Sequence, residues 1–370
     1  MKRILIFIAL CVSLAGNAQI RQSLSTNKST KLNLGTPTTQ SSSTDGKQKE
    51  TEEFVLYRNL VRQYTWLVGQ GEPITQEVAN HLPYYFKLSM KNEKGHWQHI
   101  EAMHGNALTT EHNQNTYFID IQNDTTNVSA EWITKLKTVA QWFITSDLSG
   151  DCVAEERGYT AEGDMIYGFI PIQNDSLHVT GSYIDAWGYP VDMMQSSVYT
   201  YGSVVYITYD KYGCDYILDF LDGAGYRKPN TNGVDQSRTV YDEKLRPVLS
   251  TSHNCVGDYC IDNWGNCGVK YVYAADGKSY TITFVDENLN PMRMPPERAS
   301  VDETFISCKY VFDEWGREKE AIYLNADGEN DATLSGINKI VTEYTADGKI
   351  KSKSYFDITG NLMKTELVMK

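Results

Sequence analysis

The sequence predicts a mainly β protein: an antiparallel meander of β-hairpin repeats, preceded by a small α+β unit. Three observations carry this expectation. "FDEWGREKEAIYLNADG" at 312–328 recurs in outline as "YTADGKIKSKSYFDITG" at 344–360, setting Phe312 against Tyr344, Gly316 against Gly348, Tyr323 against Tyr355 and Gly328 against Gly360. Beyond residue 150, an aromatic or aliphatic residue, often Asp, two free positions and often Gly return at short intervals, as in "YDKYG" at 209 and "IDNWG" at 261. Apolar residues at helical spacing occur only before that point.

The elements follow in chain order. Lys2 and Arg3 precede an apolar run from Ile4 to Leu14, and Gly16 and Ala18 are the small residues of a cut before Gln19. Residues 1–18 are therefore expected to be a secretory signal peptide. Lipidation of Cys11 is disfavoured, because Leu10 stands where a small residue is needed. No later stretch approaches 18 apolar residues, so no stable membrane insertion is expected. Losing Lys2 and Arg3 takes the formal net charge from −13 to −15. Such a chain repels phosphate backbones, which argues against a nucleic acid partner. Residues 19–50, rich in Ser, Thr, Asn, Gln and Lys, bury too little apolar surface to fold and read as a disordered tether.

Residues 51–150 are expected to form the α+β unit. Leu56, Leu60, Tyr64 and Leu67, widened by Val61 and Val68, have the spacing of one helix face, with Gly69 and Gly71 ending it. A short helix is expected from Pro73 to about Leu82. "YYFKLSMKNEKGHWQHIEAM" reads as a hairpin turning at "NEKG". Ser129 is placed to cap a second long helix whose face is Trp132, Leu136, Val139 and Phe143.

Residues 151–370 are expected to form the repeat domain. Asp at the first turn position accepts a backbone N–H, and Gly supplies positive φ where the chain reverses. Twelve residues separate Asp210 from Asp222 and Asp313 from Asn325, and two steps of twelve run from Asp262 through Ala274 to Asp286. Twelve residues hold one turn and one strand, so the chain runs up and down. Longer steps, such as Asp222 to Asp242 and Asn325 to Thr345, leave room for a loop or a longer strand. A lone hairpin is barely stable in water, whereas stacked hairpins bury their aromatic faces on one another.

From about residue 155 to 370, "YDKYGCDYILDFLDGAG" and "FDEWGREKEAIYLNADG" resemble the YD-type and related short β-hairpin repeat proteins of bacterial surfaces and secretions. The resemblance implies scaffolds, adhesins, shells around toxins or accessory modules. Shell-forming members carry many more copies than this chain, which argues against encapsulation here.

The candidate binding residues are Trp187, Trp264 and Trp315, one in each Asp-x-Trp-Gly turn. Exposed indoles stack on sugar rings or peptide side chains, although each could instead pack over a neighbouring hairpin. Six cysteines follow the signal peptide. An even number in an exported chain permits disulfides, and buried free thiols are as compatible; a bridge among Cys255, Cys260 and Cys267 is the favoured pairing. His96, His99, His104 and His112 lie near Glu101 and Glu111, but no HExxH helix or CxxC pair accompanies them, and no metal is expected. His253 and Cys255, near Asp258, could form a Cys–His pair, yet no strand-to-helix elbow surrounds them. "NADGENDATLSG" alternates Asn325, Asp327, Glu329 and Asp331, but Gly328 is out of place for a calcium loop. No P-loop, dinucleotide fingerprint or GxSxG occurs, so no cofactor and no catalytic residue is assigned. The expected function is an exported, non-catalytic module that binds a protein or glycan at the cell envelope, whether periplasmic, cell-surface or extracellular. The alternative is a secreted hydrolase with a Cys–His or metal site where the N-terminal unit meets the sheet.

Overall fold

The computed structural model describes residues 53–112, 118–119, 139–191, 193–196, 199–200, 203–230, 232–297 and 304–368. The signal peptide, the tether and residues 129–138 of the expected second helix lie outside the described residues.

Strands β1 (Phe54–Tyr57), β2 (Asn59–Gln63) and β3 (Trp66–Gln70) open the described chain. They replace the helix expected over 56–68. The apolar run there is continuous because the β2–β3 hairpin is buried on both faces, a pattern that short strands and helices share. Leu60, Trp66 and Leu67 enter the main core, while Val61 packs with Cys214 and Tyr241. The hairpin turns through Tyr64 and Thr65, both at positive φ (48° and 72°). The Tyr64 amide donates to Gly213 O at 2.8 Å and its ring meets Tyr209 edge-on at 5.1 Å, contacts that hold a turn its residue types disfavour. The short helix expected from Pro73 shrinks to one turn, α1 (Gln76–Ala79), capped by the Thr75 hydroxyl.

The hairpin at "NEKG" is present as β4 (Tyr85–Lys91) and β5 (Trp97–His104). The short strands β6 (Ala107–Leu108) and β7 (Phe118–Ile119) follow. Next come β8 (Gln141–Ser146) and β9 (Val153–Tyr159). Phe143, expected on a helix face, lies in β8. The line drawn at residue 150 falls beside the β8–β9 turn, whose strands pair from Gln141↔Tyr159 to Ser146↔Val153. One core cluster holds Phe86 and Trp142 together with Phe169, Val205 and Phe220, so burial is continuous across it.

The chain continues through β10 (Met165–Asn174), β11 (His178–Ile184), β12 (Met193–Ser196) and β13 (Tyr199–Thr200). Five hairpins follow: β14 (Val204–Tyr209) with β15 (Asp215–Leu221), β16 (Gln236–Tyr241) with β17 (Pro247–His253), and β18 (Gly268–Tyr273) with β19 (Ser279–Val285). Then come β20 (Ser307–Phe312) with β21 (Glu318–Leu324), and β22 (Lys339–Tyr344) with β23 (Ile350–Phe356), before the last strand β24 (Leu362–Leu367). Nineteen of these strands form one sheet. Its antiparallel pairings run from β1 through β4, β5, β8, β9, β10 and β11 to β14, and then in chain order to β24. The expected mainly β meander is therefore present.

The repeat steps by 32 residues three times and by 39 once, and three copies carry a third turn among the described residues. The first turns start at Asp210, Asp242, Ala274, Asp313 and Thr345, and the second at Asp222, Asn254, Asp286, Asn325 and Asp357. Third turns start at Asn230, Asp262 and Thr333; Asp262 was among the expected turns, whereas Asn230 and Thr333 lie within the intervals that sequence spacing left as loop or longer strand. Most turns share one geometry. In the first, the Asp210 carboxylate accepts from the Tyr212 and Cys214 amides at 2.7 and 2.9 Å, and the Gly213 amide closes on Asp210 O at 3.0 Å. Third turns of the first two repeats bond to each other: Asn232 Nδ2 donates to Asp262 Oδ2 at 2.7 Å, and the Asn263 amide to Asn232 O at 3.0 Å.

Aromatic contacts cross from one repeat to the next. Tyr280 of β19 stacks on Tyr310 of β20 at 4.9 Å, and Phe305 bridges Phe284 and Tyr323 at 5.1 and 4.9 Å. After the last second turn, β24 runs back along β23 from Phe356↔Leu362 to Ser352↔Leu367. It occupies the place that the first strand of a next repeat would take, and it is exposed along its length.

Candidate functional site

The antiparallel order sends alternate turns to opposite ends of the sheet. First turns lie at one end, where the β2–β3 hairpin and the segment around α1 contact four of the five, and the Ala274 turn stays exposed. Gln63 Nε2 donates to Tyr212 O at 2.8 Å, Gln70 Nε2 to Leu245 O at 2.5 Å, and Arg317 to His81 O at 3.0 Å. His81 Nδ1 lies 2.9 Å from Ala346 O. Second turns lie at the open end. There Trp187 and Tyr189 are 70% and 69% exposed, Tyr226 69% and Val256 76%. They occupy three successive open-end turns, after β11, β15 and β17. Neighbouring turns are two strand spacings apart, about 10 Å. The equivalent positions in later repeats are polar: Asn288 and Asn290, Asp327 and Glu329, Thr359 and Asn361. The fold thus does not require apolar side chains at these positions.

The three tryptophans expected to form one binding row are distributed among three places. Trp187 is in the open-end row. Trp264 is half-buried in the third turn of the second repeat. Trp315 is at the covered end, stacked on His81 with ring centroids 3.8 Å apart. Tyr189, Tyr226 and Val256 were not singled out by sequence reasoning. Their signal was an apolar residue at the third or fifth turn position, where later copies carry Asn, Asp, Glu or Thr.

The histidines disperse. His96 stacks on Trp66 at 4.4 Å and His99 on Phe143 at 4.2 Å. His104 Nδ1 lies 3.0 Å from Pro83 O, and His112 Nε2 lies 2.8 Å from Val139 O. Glu101 pairs with Lys87 at 2.9 Å, and Glu111 is exposed. Among the described residues no group of three or more His, Cys, Asp or Glu could hold a metal ion. His253 does not meet Cys255 as a Cys–His pair requires: its Nε2 lies 2.9 Å from Thr251 Oγ1 and its Nδ1 3.0 Å from Gly257 O. Burial lowers this imidazole to about 4, so it is neutral at pH 7. Cys255 is exposed in the turn beyond it, and all six described cysteines carry free thiols. Asn325 heads an ordinary turn, accepting from the Asp327 and Glu329 amides, both at 2.9 Å.

One buried polar cluster escaped sequence reasoning. Arg62 of β2 forks onto Glu156 of β9 with both bonds at 2.7 Å, and the Tyr167 hydroxyl donates to the same carboxylate. Asp215, at the start of β15, is 1% exposed. Neither of its oxygens has a hydrogen-bond partner among the described residues. Burial raises its carboxyl to about 7, against the pull of Arg62. Both carboxylates are sealed in the core, so the cluster fastens the β2–β3 hairpin to the sheet and offers nothing to a substrate.

No family model matches the chain, and no curated protein matches its sequence. Among solved structures it is similar to that of TcdB2-TccC3-Cdc42, at 12% identity and a TM-score of 0.25, over 77% of this chain and 12% of that one. It is also similar to that of a eukaryotic initiation factor, at 11% identity and a TM-score of 0.22, over 86% of this chain and 96% of that one. The chain therefore spans a small part of the first of these. Neither likeness bears on what this chain binds.

Proposed function

We propose that the protein is an exported, non-catalytic repeat module that presents the open end of its sheet to a protein or glycan of the cell envelope. The observation that carries this reading is the row of Trp187, Tyr189, Tyr226 and Val256. These are large apolar side chains held in water at turns whose geometry does not need them. Rigid rings at about 10 Å intervals on a hydrogen-bonded frame suit an extended ligand, because they add contact area with little ordering cost. At the opposite end the chain's own N-terminal segment contacts four of the five first turns, leaving only the Ala274 turn exposed.

The test is capture from the native envelope fraction with immobilised protein. Trp187→Ala with Tyr189→Ala and Tyr226→Ala should reduce the captured partner at least tenfold while leaving thermal unfolding unchanged. Equal capture by the triple variant and the parent overturns the assignment of this surface.

A further inference from the structure

Cys260 and Cys267 flank the third turn of the second repeat, which runs from Asp262 to Gly265. Their backbones converge on one residue of β17. The Cys260 amide donates to Ser252 O at 3.0 Å, and the Ser252 amide donates to Cys267 O at 2.7 Å. The Cys267 thiol also donates to Ser252 O, at 3.7 Å. In an extended strand, the N–H and C=O of one residue point to the same side. The two cysteines therefore share the place that a single partner residue takes in an antiparallel pair. Two residues that share one partner in this way lie close to the roughly 4.4–6.8 Å α-carbon separation that a disulfide bridges, and the Cys267 thiol also faces the Cys260 amide. Cys255 has no part in this arrangement. It lies in the open-end turn Asn254–Gly257, exposed, with its carbonyl accepting from Arg227.

We propose that Cys260 and Cys267 close to a disulfide that staples the third turn onto β17, while Cys255 remains a free thiol. The oxidant is a protein or small-molecule disulfide. The partly exposed Cys260 attacks first as the thiolate, forming a mixed disulfide and releasing one thiol of the oxidant. The buried Cys267 then attacks the Cys260 sulfur, releasing the second thiol. Two protein thiols lose two electrons and two protons, and the oxidant's disulfide gains them. Burial raises the two thiols to about 12 and about 11. Few thiolates are present at neutral pH, so closure is slow and the bond is structural; it is not a fast sensor. An exported chain meets such oxidants, but the pairing itself does not depend on export.

The test uses the folded parent protein, equilibrated with oxidised glutathione, alkylated and cut before Asp. Each cysteine then falls on its own fragment: Cys255 on 242–257, Cys260 on 258–261 and Cys267 on 262–275. The expected product is 258–261 linked to 262–275, with Cys255 alkylated. Cys255→Ser should leave that link intact, and reduction should lower the melting temperature by about 3 °C. Full alkylation of all three cysteines, or a link to the 242–257 fragment, overturns the proposal.

Discussion

Asp215 offers the sharpest test of how the N-terminal hairpin is held, because its cost depends on pH in a calculable way. Its carboxyl is buried without a hydrogen-bond partner among the described residues, and burial moves it from 3.8 to about 7. The folded state therefore keeps a proton that the unfolded chain has released between about pH 4 and pH 7. A folded-state value above the unfolded one means that stability is lost as pH rises through that window. The loss is complete above about pH 7 and absent below about pH 4. It amounts to about 4 kcal/mol at pH 8. Asp215→Asn removes the titration while keeping the shape. The variant's stability minus the parent's should thus rise by about 4 kcal/mol between pH 4 and pH 8, whatever constant offset the amide brings. His253 tilts the parent curve the other way. Its folded value of about 4 lies below the unfolded 6.5, so its contribution is lost as pH falls. That term is common to both proteins and cancels in the difference. Urea unfolding of both proteins across this pH range reads the result. A difference flat to within about 0.5 kcal/mol would show that Asp215 is not desolvated as described.

Other expectations follow from contacts at the two ends of the sheet. Trp315→Ala should cost about 1–3 kcal/mol in chemical unfolding, since it removes the stack on His81, while Trp187→Ala should stay within about 0.5 kcal/mol. Equal effects would contradict the placement of the two indoles. Gly348 and Gly360 share a positive φ, 88° and 87°, but a Cβ at Gly348 would lie 2.4 Å from the Leu82 backbone whereas one at Gly360 meets nothing within 4 Å. Gly360→Ala should therefore cost only the left-handed penalty of about 1–2 kcal/mol, and Gly348→Ala clearly more, as ranked by melting temperature. Glu156→Gln leaves Arg62 without its charge partner and should destabilise by about 3–5 kcal/mol in urea, whereas Glu343→Gln at the exposed Lys351–Glu343 pair should have a far smaller effect.

The turns were the legible part of this fold. Asp and Gly three positions apart state their geometry chemically, and twelve-residue spacing states the strand between them. The third turn was missed at "NTNG" because its Asn230 and Gly233 lay in an interval left as a loop or a longer strand. Its signal was the same as that of the turns that were found. The β2–β3 hairpin was misread because two short strands buried on both faces give a continuous apolar run, and the Tyr64–Thr65 turn lacks the Asn or Gly that marks most two-residue hairpins. Its conformation is fixed by contacts with Gly213 and Tyr209, about 145 residues away in sequence. The Arg62–Glu156 pair left no local trace either, since its members are 94 positions apart. Of the candidate surface, only Trp187 was readable, because exposure at a turn depends on which end of the sheet the turn occupies.

Amide hydrogen exchange across the boundaries between repeats tests the central claim most directly. The amides of Phe220, Ser252, Phe284 and Tyr323 donate to Asp235, Cys267, Ile306 and Asn338, each on the far side of such a boundary. If the hairpins form one mutually supported sheet, these four should exchange as slowly as amides paired within hairpins. Fast exchange at all four, with slow exchange inside the hairpins, would mean separate ribbons and would contradict the account.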